Sequence, residues 1–360
     1  MKTNKYKITL TPVDKFFFGG DMTFSVATQD KKFNDQYASY IIQSSKFPQQ
    51  TSLLGMLRFL ILRNAGEKVF SKGKIVDKSA AEILIGGKSF SVNSSHELNQ
   101  FGVIQSISHV KLYRTCEGKS VNLEFSPQFR ELDLENTDTC MYGLEEFGLP
   151  HISKEQYNAK AGLDTSLTDG EKNYQLNKIF VEDRRIGIDR DIKTGKTKDK
   201  ALFKQISYRF NNKEANYCFS FEAEIDEDIP FDNYNGQMVS IGGDNSQFII
   251  NISNSFNEND NIKPIDKAVY LLSPTFLTKN EVMQASFAIT ELIPFRFLES
   301  KMKEVNSYHI LSKELKRSRK YELYAPGSIF YFKSEEQKKQ FITFIESKKE
   351  FRQIGYNAYK

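Results

Sequence analysis

One short segment of this 360-residue chain carries most of its positive charge. Between Arg184 and Arg209 there are nine Lys or Arg residues and three Asp residues, a net charge of +6, whereas the whole chain is only +4. Apolar residues alternate before and after a Lys-Thr-Gly-Lys turn signal at residues 193–196. The pattern predicts two strands, or one strand and an irregular return, joined by a flexible basic tip. Because such a tip cannot pack into a core, it suits a polyanion. The alternative is a solvated hairpin whose lysines only aid solubility.

The cysteines and histidines form no recognisable metal signature. Three cysteines are widely spaced, and four histidines are scattered along the chain. This usage is typical of a reducing, cytoplasmic protein, and it predicts no metal and no cofactor. The first residues lack the apolar stretch of a signal peptide, and no apolar run reaches the length of a membrane span.

Strand and helix patterns alternate in the first half of the chain. Residues 5–11 alternate as a strand, and residues 25–46 are polar and predict a loop. Residues 48–66 are rich in Leu and predict a largely buried helix, which Thr51 or Ser52 caps and Gly66 ends. Residues 79–82 fit a capping box of a short helix, and residues 104–125 predict a hairpin.

The second half repeats this alternation. A short helix is predicted near 153–161, and strands are predicted at 217–225, 248–252, 268–272 and 327–332. Ser334 and Gln337 fit the start of a helix that extends to Lys349. Together the two halves fit an α+β fold of two tandem units, each an antiparallel sheet with helices on one face. Other α+β arrangements also fit these patterns.

Four groups of motifs occur in a fixed order over nearly the whole chain. They are residues 14–19, residues 47–58, residues 182–189 with 194–195 and 202–203, and residues 241–244 with 327–332 and 354–357. In this ordered set the chain resembles the 5′-handle-binding subunit, subunit three, of the Cmr-type (type III-B) CRISPR effector complex, in the RAMP superfamily of RNA-binding proteins. Two features depart from that family: the loop before the first helix has one proline, and the Gly-rich C-terminal loop is reduced to Gly355.

The resemblance implies a specific architecture. It implies two tandem ferredoxin-like (RRM-like) RAMP domains with a projecting basic β-hairpin. The first would span residues 1–215 and include the hairpin near 184–209, and the second would span residues 216–360.

The resemblance also implies a function. The chain would be a non-catalytic RNA-binding subunit that holds the 5′ repeat-derived tag of the crRNA and caps the complex. Its partners would be the large polymerase-like subunit and a backbone RAMP subunit, with target RNA contacted only indirectly and no membrane. Sequence specificity for targets would lie in base pairing by the guide.

The expected RNA-binding residues fall into three groups. Cations of the basic segment would contact phosphates, glycines would allow close approach of the backbone, and the start of the first helix would offer N–H groups to an anion. In that order they are Arg184, Arg185, Arg190, Lys193, Lys196, Lys198 and Lys200; Gly242 and Gly243; and Thr51, Ser52 and Arg58.

Two other function classes remain open. Some RAMP relatives cut RNA, so a RAMP-type endoribonuclease that processes CRISPR RNA is the alternative function. General acid–base catalysis needs a positioned group, and no histidine has a nearby partner in sequence; the histidines are His96, His109, His151 and His309. A protein that uses the basic hairpin on an acidic partner surface is the third class. No catalytic residue is expected.

Overall fold

A computed structural model of the chain shows an α+β protein built mostly of strands, with few helices. It describes residues 2–20, 22–26, 38–127, 132–135, 137–142, 145–151, 163, 165–191, 193–242, 244–254, 263–305 and 308–360.

The elements up to residue 179 include six strands of the largest sheet. They are β1 (Thr3–Pro12), β2 (Met22–Val26), β3 (Ala38–Gln43), α1 (Gln50–Asn64), β4 (Phe70–Ser71), β5 (Lys74–Ile75), α2 (Lys78–Ile85), β6 (Ile104–Ile107), β7 (Lys111–Cys116), β8 (Lys119–Ser126), β9 (Thr137–Tyr142), β10 (Glu145–Pro150), β11 (Ser166–Thr168), β12 (Asn173–Gln175) and α3 (Leu176–Ile179).

The remaining elements begin with the two arms of the basic hairpin. They are β13 (Phe180–Arg190), β14 (Thr197–Phe210), β15 (Asn216–Asp226), a 3-10 helix (Phe231–Tyr234), β16 (Met238–Ile241), β17 (Ser246–Asn254), β18 (Ala268–Tyr270), α4 (Lys279–Val282), β19 (Phe287–Ile289), β20 (Leu292–Phe295), β21 (Leu298–Val305), β22 (Tyr308–Arg317), β23 (Tyr321–Tyr324), β24 (Ile329–Tyr331), α5 (Glu335–Ser347) and α6 (Lys349–Arg352).

The largest sheet has β1 near its centre. Its strand order is β12-β11-β8-β7-β15-β1-β17-β16, and β6 also pairs with β15. Ile8 of β1 lies opposite Phe221 of β15 and Ile252 of β17 in antiparallel register. Because alternate side chains of a strand share one face, the apolar positions of these strands form a continuous buried layer. The predicted boundary at 215/216 falls just before β15, so this sheet draws strands from both sides of it.

Helix α1 confirms the buried helix predicted at residues 48–66. Leu53, Leu57 and Leu60 are almost fully buried in the main core. The predicted cap was wrong, because Gln49 occupies the N-cap position and makes no side-chain cap bond. The predicted capping box at residues 79–82 was also wrong, since Asp77 accepts the N–H of Ala80 and α2 begins at Lys78.

The basic hairpin belongs to a second sheet of order β13-β14-β3-β2. Strand β14 pairs with β13 in antiparallel fashion and with β3 in parallel fashion, with Phe203 opposite Tyr40. The loop predicted over residues 25–46 therefore contains a strand that joins the hairpin. Its parallel pairing with β14 was missed because β14 lies far away in sequence, where local patterns carry no signal.

A third sheet, of order β18-β24-β19, lies near the C-terminus. Leu271 and Tyr359 form an antiparallel bridge beside β18. Phe341 and Ile345 of α5 are fully buried against Phe330 of β24. Ser334 caps α5 as predicted, by accepting the N–H of Gln337, although α5 ends at Ser347 rather than Lys349. The helix predicted near 153–161 lies outside the described residues.

Candidate nucleic-acid interface

The motifs that stand far apart in sequence meet at the base of the basic hairpin. The N–H of Phe16 donates to the carbonyl of Tyr208 at 2.8 Å, and the N–H of Tyr208 donates back at 3.0 Å. The N–H of Phe17 donates to Oγ of Ser246 at 2.8 Å. The first motif is therefore hydrogen-bonded both to the returning arm of the hairpin and to the start of β17.

An aromatic cluster fills the space beneath this junction. The ring of Phe16 is 1% exposed and lies between 5.0 and 6.3 Å, centroid to centroid, from five other phenylalanine rings. These are Phe18, Phe180, Phe210, Phe219 and Phe248. Because the cluster is buried, it anchors the hairpin and offers no open ring face to a base.

Polar contacts fix the hairpin on both of its faces. Nζ of Lys15 lies 2.8 Å from Asp183, which lowers the pKa of that carboxyl group, and the side chain of Gln43 donates to the hydroxyl of Tyr208 at 2.6 Å. Gln205 is hydrogen-bonded to Asp244 of the glycine motif. No local sequence pattern indicated these three anchors, because each joins residues that are distant in sequence.

Gly242 makes a close approach within the protein itself. Its φ is +92°, and a Cβ at this position would lie 2.2 Å from the carbonyl oxygen of Phe17. Only glycine fits a backbone that combines this dihedral with this contact. The structure thus accounts for Gly242 by folding, and its RNA contact stays a prediction. Gly243 lies outside the described residues.

The cations nearest the hairpin base are paired with carboxylates. Both Nε and Nη2 of Arg184 contact Glu182, at 2.9 and 2.7 Å, and Nε of Arg185 lies 3.7 Å from Asp183. Their side chains are 63% and 66% exposed. These arginines remain accessible, but each already has an opposite charge beside it.

The tip of the hairpin presents its cations differently. The carboxylate of Asp191 accepts the N–H groups of Lys193 and Thr194 and the hydroxyl of Thr194. These bonds lower the pKa of Asp191 and order the turn. Arg190, Lys193 and Lys196 are exposed, and no carboxylate of a described residue pairs with them.

Two further predicted cations, Lys198 and Lys200, lie on β14. Their side chains are outside the part of the chain that the structure describes. On the opposite strand, Ile186 and Ile188 are exposed to 74% and 48%. The hairpin therefore combines charged and apolar groups.

The start of α1 is covered by the C-terminal segment. The side-chain nitrogen of Gln50 donates to the carbonyls of Ser108 and Ile354 at 2.8 and 2.7 Å. Burial raises the pKa of Tyr356, and groups of Thr51 and Gln50 partly oppose this shift. Thr51 and Ser52 are only half-buried, but the helix end beside them contacts protein groups. Their role in anion binding stays a prediction.

Arg58 is bound to backbone carbonyls rather than open to solvent. Its Nη2 donates to Gly86 and Lys88 at 2.8 and 3.0 Å, and its guanidinium lies 5.7 Å from the centre of the Phe101 ring. Burial lowers the pKa of Arg58 to about 10. These contacts tie α1 to the end of α2, and its contact with RNA stays a prediction.

Three histidines have carboxylate neighbours. His96 lies 2.8 Å from the buried Glu350, and His109 lies 3.5 Å from Glu124. His151 lies 2.7 Å from Asp138, and both side chains are exposed. The side chain of His309 is outside the described part. Within the described ranges, no three His, Cys, Asp or Glu side chains are grouped as a metal would require, and no helix has the length and apolarity to cross a bilayer.

Comparisons with known proteins give one family match and a similar fold. The model of the family described as CRISPR-associated protein (Cas_Cmr3) matches residues 152–359, more than half of the chain. A chain in the cryo-EM structure of the type III-B Cmr-beta bound to cognate target RNA has a TM-score of 0.50 and 16% identity, with 98% of this chain and 96% of that chain covered. A chain from state 1 with target RNA and AMPPnP has a TM-score of 0.49 and 15% identity, with 98% and 95% covered. No curated protein matched. The first of these two likenesses shows a shared fold.

Proposed function

Because the chain belongs to the CRISPR-associated protein family Cas_Cmr3, we propose that it is a non-catalytic RNA-binding subunit of a type III-B (Cmr) effector complex. Its task is to hold the 5′ repeat-derived tag of the crRNA. The observation that carries this proposal is the basic hairpin, whose base is built by the family motifs and whose tip presents exposed cations.

The proposed partners follow from the same role. The chain caps the complex beside the large polymerase-like subunit and next to a backbone RAMP subunit. It meets target RNA indirectly, through the guide, and it works in the cytoplasm. The similar structure is of a type III-B Cmr-beta bound to cognate target RNA, which supports an RNA-containing assembly.

The strand orders support two tandem ferredoxin-like units. In the first, β17-β1-β15-β7 corresponds to the order 4-1-3-2, with α1 between the first two strands. In the second unit, the segment at Tyr359 lies beside β18, and the order Tyr359 segment-β18-β24-β19 again corresponds to 4-1-3-2. Helix α5 precedes the Tyr359 segment, which is the last strand of this unit in sequence. We place the end of the first unit after β17, because β15 and β17 belong to its sheet. The basic hairpin is then an insertion between the second and third strands.

The tip cations set the expected strength of RNA binding. Each phosphate that a lysine or arginine neutralises releases a counterion, so the logarithm of the binding constant falls with the logarithm of salt concentration by about 0.7 per contact on single strands. If five of the nine cations meet phosphates, the slope is about −3.5. Phosphate contacts carry no base information, so affinity should be similar for different sequences.

The test is a salt titration of RNA binding by two variants of equal charge. In the first, Lys193, Lys196, Lys198 and Lys200 become Ala, which should make the slope shallower by up to about 3. In the control, four exposed lysines outside the hairpin become Ala: Lys279, Lys333, Lys339 and Lys349. The control should keep the wild-type slope. Identical slopes in all three proteins, free and in the assembled complex, would refute the proposal.

Among the described residues, the exposed pair of His151 and Asp138 favours the endoribonuclease alternative. A histidine oriented by a carboxylate is a common general base. We expect purified wild-type protein to leave repeat RNA intact. Metal-independent cleavage that disappears in His151→Ala would establish the nuclease instead.

A further inference from the structure

A second, much smaller hairpin projects between α1 and α2. Strands β4 and β5 pair with Phe70 opposite Ile75 and Ser71 opposite Lys74, and Lys72 and Gly73 form the turn with positive φ. The N–H of Val76 donates to the carbonyl of Val69 at 2.8 Å. This small hairpin is therefore ordered by its own backbone bonds.

The small hairpin and the adjoining side of α1 carry an apolar patch, which we define as Phe59, Phe70, Ile75 and Val76. Phe59 lies on the outer side of α1, and its ring packs edge-to-face on Phe70 with centroids 5.7 Å apart. Phe70 and Ile75 are directly opposite on neighbouring strands, so their side chains adjoin. Phe59, Ile75 and Val76 are 52%, 48% and 62% exposed.

Single exposed apolar residues are common on protein surfaces, but an ordered group is not explained in that way. The patch joins α1 to a hairpin that buries little of its own surface, so folding alone gains little from it. Adjoining exposed apolar groups on a fixed frame are typical of surfaces that bind another molecule.

The charges around the patch are mostly positive. Lys68, Lys72, Lys74 and Lys78 are exposed. Lys78 lies 3.7 Å from Glu82, Asp77 is engaged in capping α2, and Glu67 is exposed. The excess positive charge is therefore that of Lys68, Lys72 and Lys74. This surface thus has an apolar centre and a basic rim. It is complementary to a partner surface that has an apolar centre and an acidic rim.

We propose that the apolar patch docks on another protein subunit, whose facing surface carries apolar side chains and carboxylates. RNA fits this surface less well, because Ile75 and Val76 cannot stack on bases and Phe59 already has its neighbour Phe70. The inference rests on the proposed function, since it requires that the chain be a subunit of an assembly. The patch forms the centre of that interface, and the lysines lie at its rim.

The experiment compares wild-type and variant chains for incorporation into the complex. Equal amounts of differently tagged chains are co-expressed with the other subunits, and the ratio in the purified complex is measured. Ile75→Asp with Val76→Asp should lower incorporation at least tenfold, because each buried aliphatic side chain is worth more than a factor of ten. The control is Ile83→Asp, which changes another exposed aliphatic residue, 73% exposed, on α2. It should incorporate like wild type.

Both variants should fold normally, since the substituted side chains are exposed, and thermal melting of the free proteins checks this. Equal incorporation of the double variant and wild type would overturn the inference. So would a double variant that loses RNA affinity as a free protein, because the patch would then bind RNA. A wild-type chain that enters no complex would refute both this inference and the proposed assembly role, whereas equal incorporation leaves that role intact.

Discussion

The substitution Gly242→Ala separates a role in folding from a role in RNA binding. The left-handed backbone at φ +92° costs about 1–2 kcal/mol for a residue with a Cβ. The new Cβ would also lie 2.2 Å from the carbonyl oxygen of Phe17, so the first motif must shift. Overpacking of this kind costs about 1–3 kcal/mol. Together we expect the free energy of unfolding to fall by about 2–5 kcal/mol.

Gly195→Ala is the matched control. Gly195 also has a positive φ, of +68°, but no atom would lie within 4 Å of an added Cβ. The free energy of unfolding of Gly195→Ala should therefore fall only by the cost of the left-handed backbone, about 1–2 kcal/mol. Urea unfolding followed by far-UV circular dichroism measures both variants, and the same samples are titrated with RNA at several salt concentrations.

The two roles of Gly242 give opposite results. If the glycine is needed for the close contact with Phe17, the variant unfolds at a lower urea concentration. The dependence of RNA affinity on salt concentration is then unchanged for the protein that remains folded. If Gly242→Ala unfolds like wild type and yet binds RNA more weakly, the glycine serves the approach of RNA, and our reasoning from the backbone contact is wrong.

The remaining predictions concern stability. Leu57→Ala should lower the free energy of unfolding by about 2–5 kcal/mol, since Leu57 is fully buried, and an unchanged urea midpoint would contradict this. Phe16→Ala should lower the free energy of unfolding by about 3–5 kcal/mol, because its ring lies at the centre of the aromatic cluster at the base of the hairpin. Protease cleavage within the basic hairpin should increase. Burial alone would raise the pKa of Glu124, but the neighbouring His109 and the charge of Lys111 outweigh it and lower the pKa. A lowered folded-state pKa gives stability above the unfolded pKa of about 4.3, which is lost as pH falls below it. The melting temperature of Glu124→Gln should accordingly change less than that of wild type below about pH 4.

Local patterns predicted the elements whose partners are close in sequence or whose burial is regular. The hairpin of β7 and β8 and the helix α1 are confirmed, because alternation and helical periodicity report burial directly. Asp77 rather than Ser79 caps α2, a shift of two residues that sequence patterns rarely resolve.

The candidate site was harder to predict than the elements that build it. The sequence located the basic hairpin, but not its parallel pairing with β3 or the pairing of Arg184 with Glu182. Pairing between distant strands depends on the whole fold, and side-chain pairing depends on twist and rotamer. Arg58 shows the same limit, since its partners are carbonyls of a loop that follows the next helix.

These contacts change which part of the basic hairpin should bind RNA most strongly. Arg184 and Arg185 each lie beside a carboxylate, so a phosphate must compete with an existing ion pair. The net gain is only the difference between the attraction of the arginine to the phosphate and its attraction to the carboxylate. Arg190, Lys193 and Lys196 have no such competitor among the described residues, and the turn that holds them is ordered by Asp191. A phosphate at the tip therefore gains the full attraction of each cation. Under the proposed function, we expect the base to orient the hairpin and the tip cations to attract the RNA.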